Sequence, residues 1–151
     1  MGQYPNCMQD ISDDVHFIVR RAFVKICDGN RTQALILGVL EAKTNERMAC
    51  INQIRAEHGY PELDSVENFE PRDLMIRMPI DDWKVASFGV LSRFLIVKES
   101  LALAAAGFLT IAQHKRKLDR AYFYRLNIST IIASVRALDE QRKFGFQYLS
   151  E

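Results

Sequence analysis

Basic side chains, which can bind phosphate groups, are concentrated in the second half of the sequence. Residues 77–127 contain nine Lys and Arg residues and four acidic residues. Residues 55–73 have the opposite bias, with two basic and six acidic residues, and the whole chain has a net charge of +1. Such an asymmetry can attract a polyanion to one face of a protein. Two solvated surfaces of opposite sign are the alternative explanation.

The sequence contains no recognisable signature of an enzyme or of a metal site. It lacks a glycine-rich phosphate loop, a G-x-S-x-G nucleophile motif and an H-E-x-x-H zinc motif. His58 and His114 are isolated in sequence from plausible ligands. The paired carboxylates Asp13–Asp14 and Asp81–Asp82 stand at expected helix starts, where acidic side chains interact favourably with the helix dipole. We therefore expect no enzymatic activity, no cofactor and no metal ion.

Length and composition are those of one globular domain. The chain has 151 residues, of which 48% are hydrophobic, and a chain of this size can bury a substantial core. Its three cysteines are odd in number and lack a C-x-x-C spacing, so we expect free and mostly buried thiols. No apolar run is long enough to cross a membrane and the first residues do not form a signal peptide, so we expect a cytoplasmic protein.

The first half of the sequence predicts mainly helices. We expect residues 1–12 to form a flexible arm, while the apolar segment 17–26 fits a helix and a strand equally well. Asn30 is a suitable N-cap for a helix over residues 31–45. A separate amphipathic helix is predicted at Arg47–Glu57, because apolar residues recur on one side of it.

The next part of the sequence predicts a strand and two helices. After an acidic connector at residues 63–73, the alternating residues of 74–78 fit a short edge strand. A helix is predicted to begin near Pro79, where proline is tolerated. Ser92 can cap a second helix, which ends at Gly107. The apolar residues expected on the buried side of the first of these helices are Trp83, Val85, Ala86 and Phe88.

A hairpin and a further helix complete the pattern. Residues 108–113 and 121–127 alternate in polarity as strands do, and the polar residues 114–120 between them form the tip of the hairpin. Apolar residues then recur at helical spacing from Ile128 to Leu138. Two helices joined by a short glycine-containing turn are a helix-turn-helix, and a hairpin directly after the second helix makes it a winged helix.

Residues 74–127 resemble the winged-helix domains of phage and plasmid replication proteins and related regulators. The helix at residues 31–45 also resembles the first helix of such domains, which extends the resemblance to about residues 17–138. Three motifs carry the resemblance: Asp82-Trp83 at the start of the first helix, Leu103-Ala104-Ala105-Ala106-Gly107-Phe108 at the end of the second, and Tyr122-Phe123-Tyr124-Arg125-Leu126-Asn127 in the hairpin.

The resemblance implies an α+β, mostly helical fold: a winged helix-turn-helix with extra N-terminal helices and a C-terminal helix. We expect a single domain over residues 13–143, followed by a C-terminal tail at 144–151. Within the domain, the helix-turn-helix occupies residues 80–106 and the wing occupies residues 108–127.

The implied function is non-enzymatic binding of duplex DNA, as a transcriptional regulator or in the replication initiation of a mobile element. Cationic side chains supply the phosphate contacts that dominate affinity for DNA. The expected phosphate contacts at the hairpin tip are Lys115, Arg116, Lys117 and Arg120, with His114 as an additional donor. The residues expected at the groove are Lys84, Ser92, Arg93 and Lys98. Because DNA operators are two-fold symmetric, we also expect a homodimer.

A second hypothesis is a protein–protein interaction module built on a degenerate winged helix. The helix that begins at Ser92 is apolar nearly all round, and such a helix is usually buried on more than one side. Exposure of Leu95, Val97 and Leu101 beside a basic surface would favour DNA binding. Burial of the same residues by a second chain would favour the interaction module.

Overall fold

The computed structural model describes residues 19–113 and 121–150, with side chains described as far as Gln141. In these residues the protein is mostly helical with a small three-stranded antiparallel sheet, which confirms the α+β class. No helix in this part of the chain has the length and apolar character needed to cross a membrane. The elements are α1 (Arg21–Ile26), α2 (Arg31–Glu57), β1 (Ile76–Met78), α3 (Ile80–Ala86), α4 (Arg93–Ala105), β2 (Leu109–Gln113), β3 (Tyr122–Leu126) and α5 (Ile128–Ser150).

Helix α2 is continuous, so the prediction of two separate helices over 31–45 and 47–57 is wrong. Its first half is central to the core, and residues 36–40 are all buried. Its second half projects from the core and is held by the acidic connector, which returns alongside it. The side chain of Asn52 donates to the carbonyl of Leu63 at 3.2 Å and accepts from its N–H at 2.9 Å. These bonds stabilise the second half of α2 as a continuation of its first half. The local sequence alone is equally compatible with a separate second helix.

The N-terminus of α2 begins as predicted, at a cap formed by Asn30. The Asn30 side chain accepts a hydrogen bond from the backbone N–H of Gln33 at 3.0 Å. This bond satisfies one of the amide groups that a helix start leaves unpaired. The undecided apolar segment before it becomes helical in α1, which packs against α2 and α5.

The sheet has the strand order β1–β3–β2, with β1 at one edge as predicted. In this register Tyr124 of β3 lies opposite both Ile76 of β1 and Ile111 of β2. The base of the β2–β3 hairpin is fixed by Asn127, whose side chain donates to the Gly107 carbonyl at 2.9 Å. Helix α4 is thereby joined tightly to the hairpin that follows it.

Helix α3 and the turn after it differ from the prediction in one respect. Trp83 is fully buried, but Val85 and Phe88 are exposed at 77% and 60%, so their assignment to the buried side is wrong. Ser87 takes the buried position instead, and its hydroxyl accepts from the N–H of Leu91 at 3.0 Å. Phe88 adopts a positive φ of 54° in the turn that follows α3, a conformation that is uncommon for residues other than glycine.

Helix α5 extends further than its apolar repeat indicates. The repeat ends near Leu138, yet the backbone remains helical to Ser150, so residues 144–150 continue the helix. The first part of α5 packs against α1, and Ile131 belongs to the core.

Candidate nucleic-acid interface

The α3–turn–α4 segment consists of two helices joined by a short turn, at the positions where the sequence predicts two helices. Gly89 has a φ of 79° in the turn, a conformation that glycine adopts without strain. Ser92 caps α4, because its hydroxyl accepts from the backbone N–H of Leu95 at 3.3 Å. At the other end, Gly107 has a φ of 87°, as a helix C-terminus commonly requires. Local sequence chemistry therefore determines both ends of α4.

Four of the predicted DNA-contact residues lie on this segment, and all four are solvent-exposed. Lys84 is in the last turn of α3, and Ser92 and Arg93 are at the start of α4. Lys98 is one and a half turns further along α4, with its Nζ 5.9 Å from the centroid of the Phe94 ring. The predicted hairpin-tip residues lie outside the described residues: His114, Lys115, Arg116, Lys117 and Arg120.

The exposed face of α4 is predominantly apolar. Phe94, Val97 and Leu101 are exposed at 71%, 45% and 59%, and they follow one another at spacings of three and four residues. Leu95 is half-buried, while Ile96 and Leu103 form the core side of the helix. Base edges are recognised chiefly by side chains with hydrogen-bond donors and acceptors. This face offers few such groups besides those of Arg93 and Lys98.

Two further polar residues of α4 are on its buried side, which sequence reasoning did not predict. Glu99 is 8% exposed, and its Oε2 accepts hydrogen bonds from Asn30 Nδ2 at 3.1 Å and Gln33 Nε2 at 2.8 Å. Ser100 is buried as well and donates to the Val97 carbonyl at 3.3 Å. The partners of Glu99 are more than 60 residues away in sequence, so no local pattern could have revealed them.

A buried thiol lies close to this polar contact. Burial, followed by the nearby carboxylates of Asp28 and Glu99, raises the pKa of Cys27 to about 11. A thiol with so high a pKa is a poor nucleophile near neutral pH. Cys27 and Cys50 are both free. Of these two described cysteines, Cys27 is buried as expected and Cys50 is exposed, while Cys7 lies outside the described residues.

Tyr124 and Trp83 form the aromatic centre between α3 and the sheet. Their rings meet edge to face with centroids 5.2 Å apart. Burial raises the pKa of the Tyr124 hydroxyl. Among the residues that the structure describes, the buried Trp83 indole Nε1 has no hydrogen-bond partner. Tyr124 is therefore a core residue, whereas Tyr122, two positions earlier on β3, is partly exposed.

A mainly apolar groove of about 350 Å³ separates α4 from strands β2 and β3. Arg93, Val97 and Leu101 line its α4 side, and Ile111 and Tyr122 line its hairpin side. The groove therefore continues the exposed apolar face of α4 towards the sheet.

The described residues contain no cluster of three or more His, Cys, Asp or Glu side chains that could hold a metal ion. Comparison of the chain with protein-family models, with curated proteins and with solved structures finds no significant match.

Proposed function

We propose that this protein is a winged-helix protein that binds duplex DNA without catalysing a reaction. The observation that carries the proposal is the order α2–β1–α3–α4–β2–β3, combined with the sheet order β1–β3–β2. In this arrangement an exposed helix is followed directly by a β-hairpin, which can reach DNA beside the helix. The hairpin tip has a strongly basic sequence, as phosphate binding requires.

The geometry favours contacts to phosphates over recognition of bases. The cations Arg93 and Lys84 are exposed at the two sides of the turn, and Lys98 is exposed on α4. The apolar face of α4 provides few groups that distinguish one base pair from another. We expect binding that depends strongly on salt and only weakly on DNA sequence. A role in transcriptional regulation or in replication initiation of a mobile element is compatible with such binding.

Fluorescence anisotropy of a labelled duplex across a salt series tests this proposal. The wild type is compared with a triple variant of the hairpin tip, Lys115→Ala, Arg116→Ala and Lys117→Ala. If each side chain contacts one phosphate, the slope of log K against log salt decreases by about 2.7, because each contact contributes about 0.9. The matched control removes three cations from α1, α2 and α5: Arg21→Ala, Lys43→Ala and Arg136→Ala. An equal decrease in both variants would show that general charge, and not the hairpin, governs binding.

The second candidate function is a protein–protein interaction module. The apolar character of the exposed α4 face favours it, because the basic surface expected beside that face for DNA binding is limited on α4 to Arg93 and Lys98. Contiguous apolar surface on a protein commonly marks a binding site for another protein. Absence of duplex binding by the wild type at low salt would refute the DNA proposal and leave this alternative. We infer a homodimer only under the DNA proposal, because the symmetry of operators is its sole support.

A further inference from the structure

Exposed apolar side chains are unusually concentrated around α4. Of the eleven large hydrophobic side chains exposed in the described residues, seven lie on α3, the turn, α4 and β3. Such a concentration is uncommon on a surface that only faces water. We define the α4 face as Phe94, Val97 and Leu101, together with the adjoining groove up to Tyr122.

The spacing of the α4 face fits a helical partner. Phe94, Val97 and Leu101 stand at i, i+3 and i+7, which is the spacing of an interhelical seam. The groove beside Val97 and Leu101 provides a second wall from the hairpin. An amphipathic helix can place its apolar side into a groove of this kind, with its anchors at matching intervals.

The charges around the α4 face specify the polar side of that partner. The exposed charged residues on α4 are Arg93 and Lys98. Helix α3 has the exposed cation Lys84 in its last turn and two exposed acids, Asp81 and Asp82, in its first turn. The single acidic residue of α4, Glu99, is buried and is occupied by Asn30 and Gln33. The α4 face thus has cations on its own helix and no exposed acid there to balance them.

We propose that the α4 face is a docking site for an amphipathic helix of another protein, with acidic residues flanking its apolar side. The seam spacing supplies the apolar anchors, and Arg93 and Lys98 supply the charge complementarity. The same face of a second copy is a poorer occupant, because it would bring identical cations together. The acidic connector of a second copy fits no better, because its large apolar residues already pack on their own chain: Phe69 is buried, and Leu63 and Val66 are half-buried.

Two synthetic peptides provide the test. Both carry Leu at the seam positions over three heptads, and one has Glu at every flanking position while the other has Lys. Anisotropy of labelled peptide at nanomolar concentration keeps the peptide monomeric during titration with the full chain. We expect the Glu peptide to bind at least tenfold more tightly than the Lys peptide. Equal affinities, or no binding of either peptide, would overturn the proposal.

Variants of exposed residues test the location of the site without disturbing the core. Phe94→Gln with Leu101→Gln is expected to weaken binding of the Glu peptide at least tenfold. The matched control is Ile54→Gln, which replaces an exposed apolar residue on α2 and should leave binding unchanged. Reversal of two charges, Arg93→Glu with Lys98→Glu, is expected to invert the preference to the Lys peptide. Unchanged affinity in the Phe94 and Leu101 variant would overturn the proposal.

Sedimentation velocity separates this proposal from self-association, and the outcome does not depend on DNA binding. We expect the wild type without peptide to show no self-association that depends on Phe94 and Leu101. A dimer that the Phe94→Gln and Leu101→Gln changes abolish would identify a second copy as the occupant and overturn the proposal. Duplex binding tests the hairpin tip in a separate assay. Failure of the DNA proposal can therefore be told apart from failure of the docking proposal.

Discussion

Replacing Asn30 with Asp retains the N-cap of α2 but places a second carboxylate against Glu99. The wild-type side chain has two functions: its Oδ1 accepts from Gln33 N–H at 3.0 Å, and its Nδ2 donates to Glu99 Oε2 at 3.1 Å. Asp is as good a capping residue as Asn, so the first function survives. The second function is inverted, because a donor is replaced by a negatively charged acceptor. The substitution therefore isolates the contact that joins α2 to α4.

The cost of this change can be estimated from two terms. Loss of a hydrogen bond to a charged group costs about 1.5–3 kcal/mol. Repulsion between two carboxylates about 4 Å apart contributes about 4 kcal/mol at an effective dielectric constant of about 20. The folded variant can avoid part of the repulsion by taking up one proton. For a carboxyl group with an ordinary pKa of about 4, proton uptake at pH 7 costs about 4 kcal/mol and restores a donor between the two groups, so it sets the upper limit on the sum of both terms. We expect Asn30→Asp to lower the free energy of unfolding by about 3–4 kcal/mol at pH 7.

The stability of the variant depends on pH because its two facing carboxyl groups take up one proton in the folded state. Because the folded variant holds a proton that the unfolded chain releases, lowering the pH from about 7 to 5 favours the folded state. The loss of unfolding free energy relative to the wild type should therefore shrink by up to about 1.4 kcal/mol for each pH unit over this range. Urea unfolding provides the assay, with fluorescence of Trp83, the sole and fully buried tryptophan, as the signal.

Two variants serve as controls for the Asn30→Asp experiment. Asn30→Ser keeps a capping oxygen but introduces no charge, so it should lose about 1–2 kcal/mol without the pH dependence. The double change Asn30→Asp with Glu99→Gln restores a donor opposite an acceptor and should recover much of the stability. If Asn30→Asp is no less stable than Asn30→Ser, or if its deficit is the same at pH 5 and 7, the assigned role of the contact is wrong.

Three further predictions concern packing, backbone strain and the buried thiol. Leu103→Ala should lower the free energy of unfolding by about 2–5 kcal/mol, whereas Leu101→Ala on the exposed side of the same helix should change it by less than about 0.5 kcal/mol in the same urea assay. Phe88→Asn should raise stability by about 0.5–1 kcal/mol, because Asn tolerates the positive φ that Phe88 adopts; a loss of stability would show that the Phe88 ring contributes more than its exposure indicates. Because the pKa of Cys27 is raised from 9.0 to about 11, the unfolded chain ionises first, so stability should fall as the pH rises from about 9 to 11. Cys27→Ala should reduce this decline, as measured by thermal unfolding across that pH range.

The sequence predicts the ends of elements best where one side chain determines them. Asn30 and Ser92 cap α2 and α4 through hydrogen bonds to backbone groups three residues ahead. Gly107 ends α4 because a left-handed conformation follows the helix. Each of these signals depends on residues within a few positions, so it can be recognised without knowledge of the fold.

Predictions are wrong where distant residues decide the outcome. The second half of α2 continues the first because Asn52 and Arg55 bind backbone carbonyls of the returning connector. Val85 and Phe88 are exposed because Ser87 and Trp83 already fill the space between α3 and the core. In both cases the sequence pattern is compatible with two arrangements, and a long-range contact selects one of them.

The orientation of α4 around its axis determines which of its side chains a partner can reach. At 100° per residue, Phe94, Val97 and Leu101 lie about 140–160° around the helix axis from Glu99. Rotating α4 to bury this apolar side would move Glu99 away from Asn30 and Gln33 and leave their amide groups unpaired, at a cost of about 1–3 kcal/mol each. Glu99 therefore stabilises the orientation in which the apolar side of α4 faces outwards. A partner that covers this side can bind without any rearrangement of the core. Because Arg93 and Lys98 are assigned both to DNA phosphates and to the acidic partner, we expect the partner and DNA to compete for α4, whereas the hairpin tip remains free for phosphate contacts.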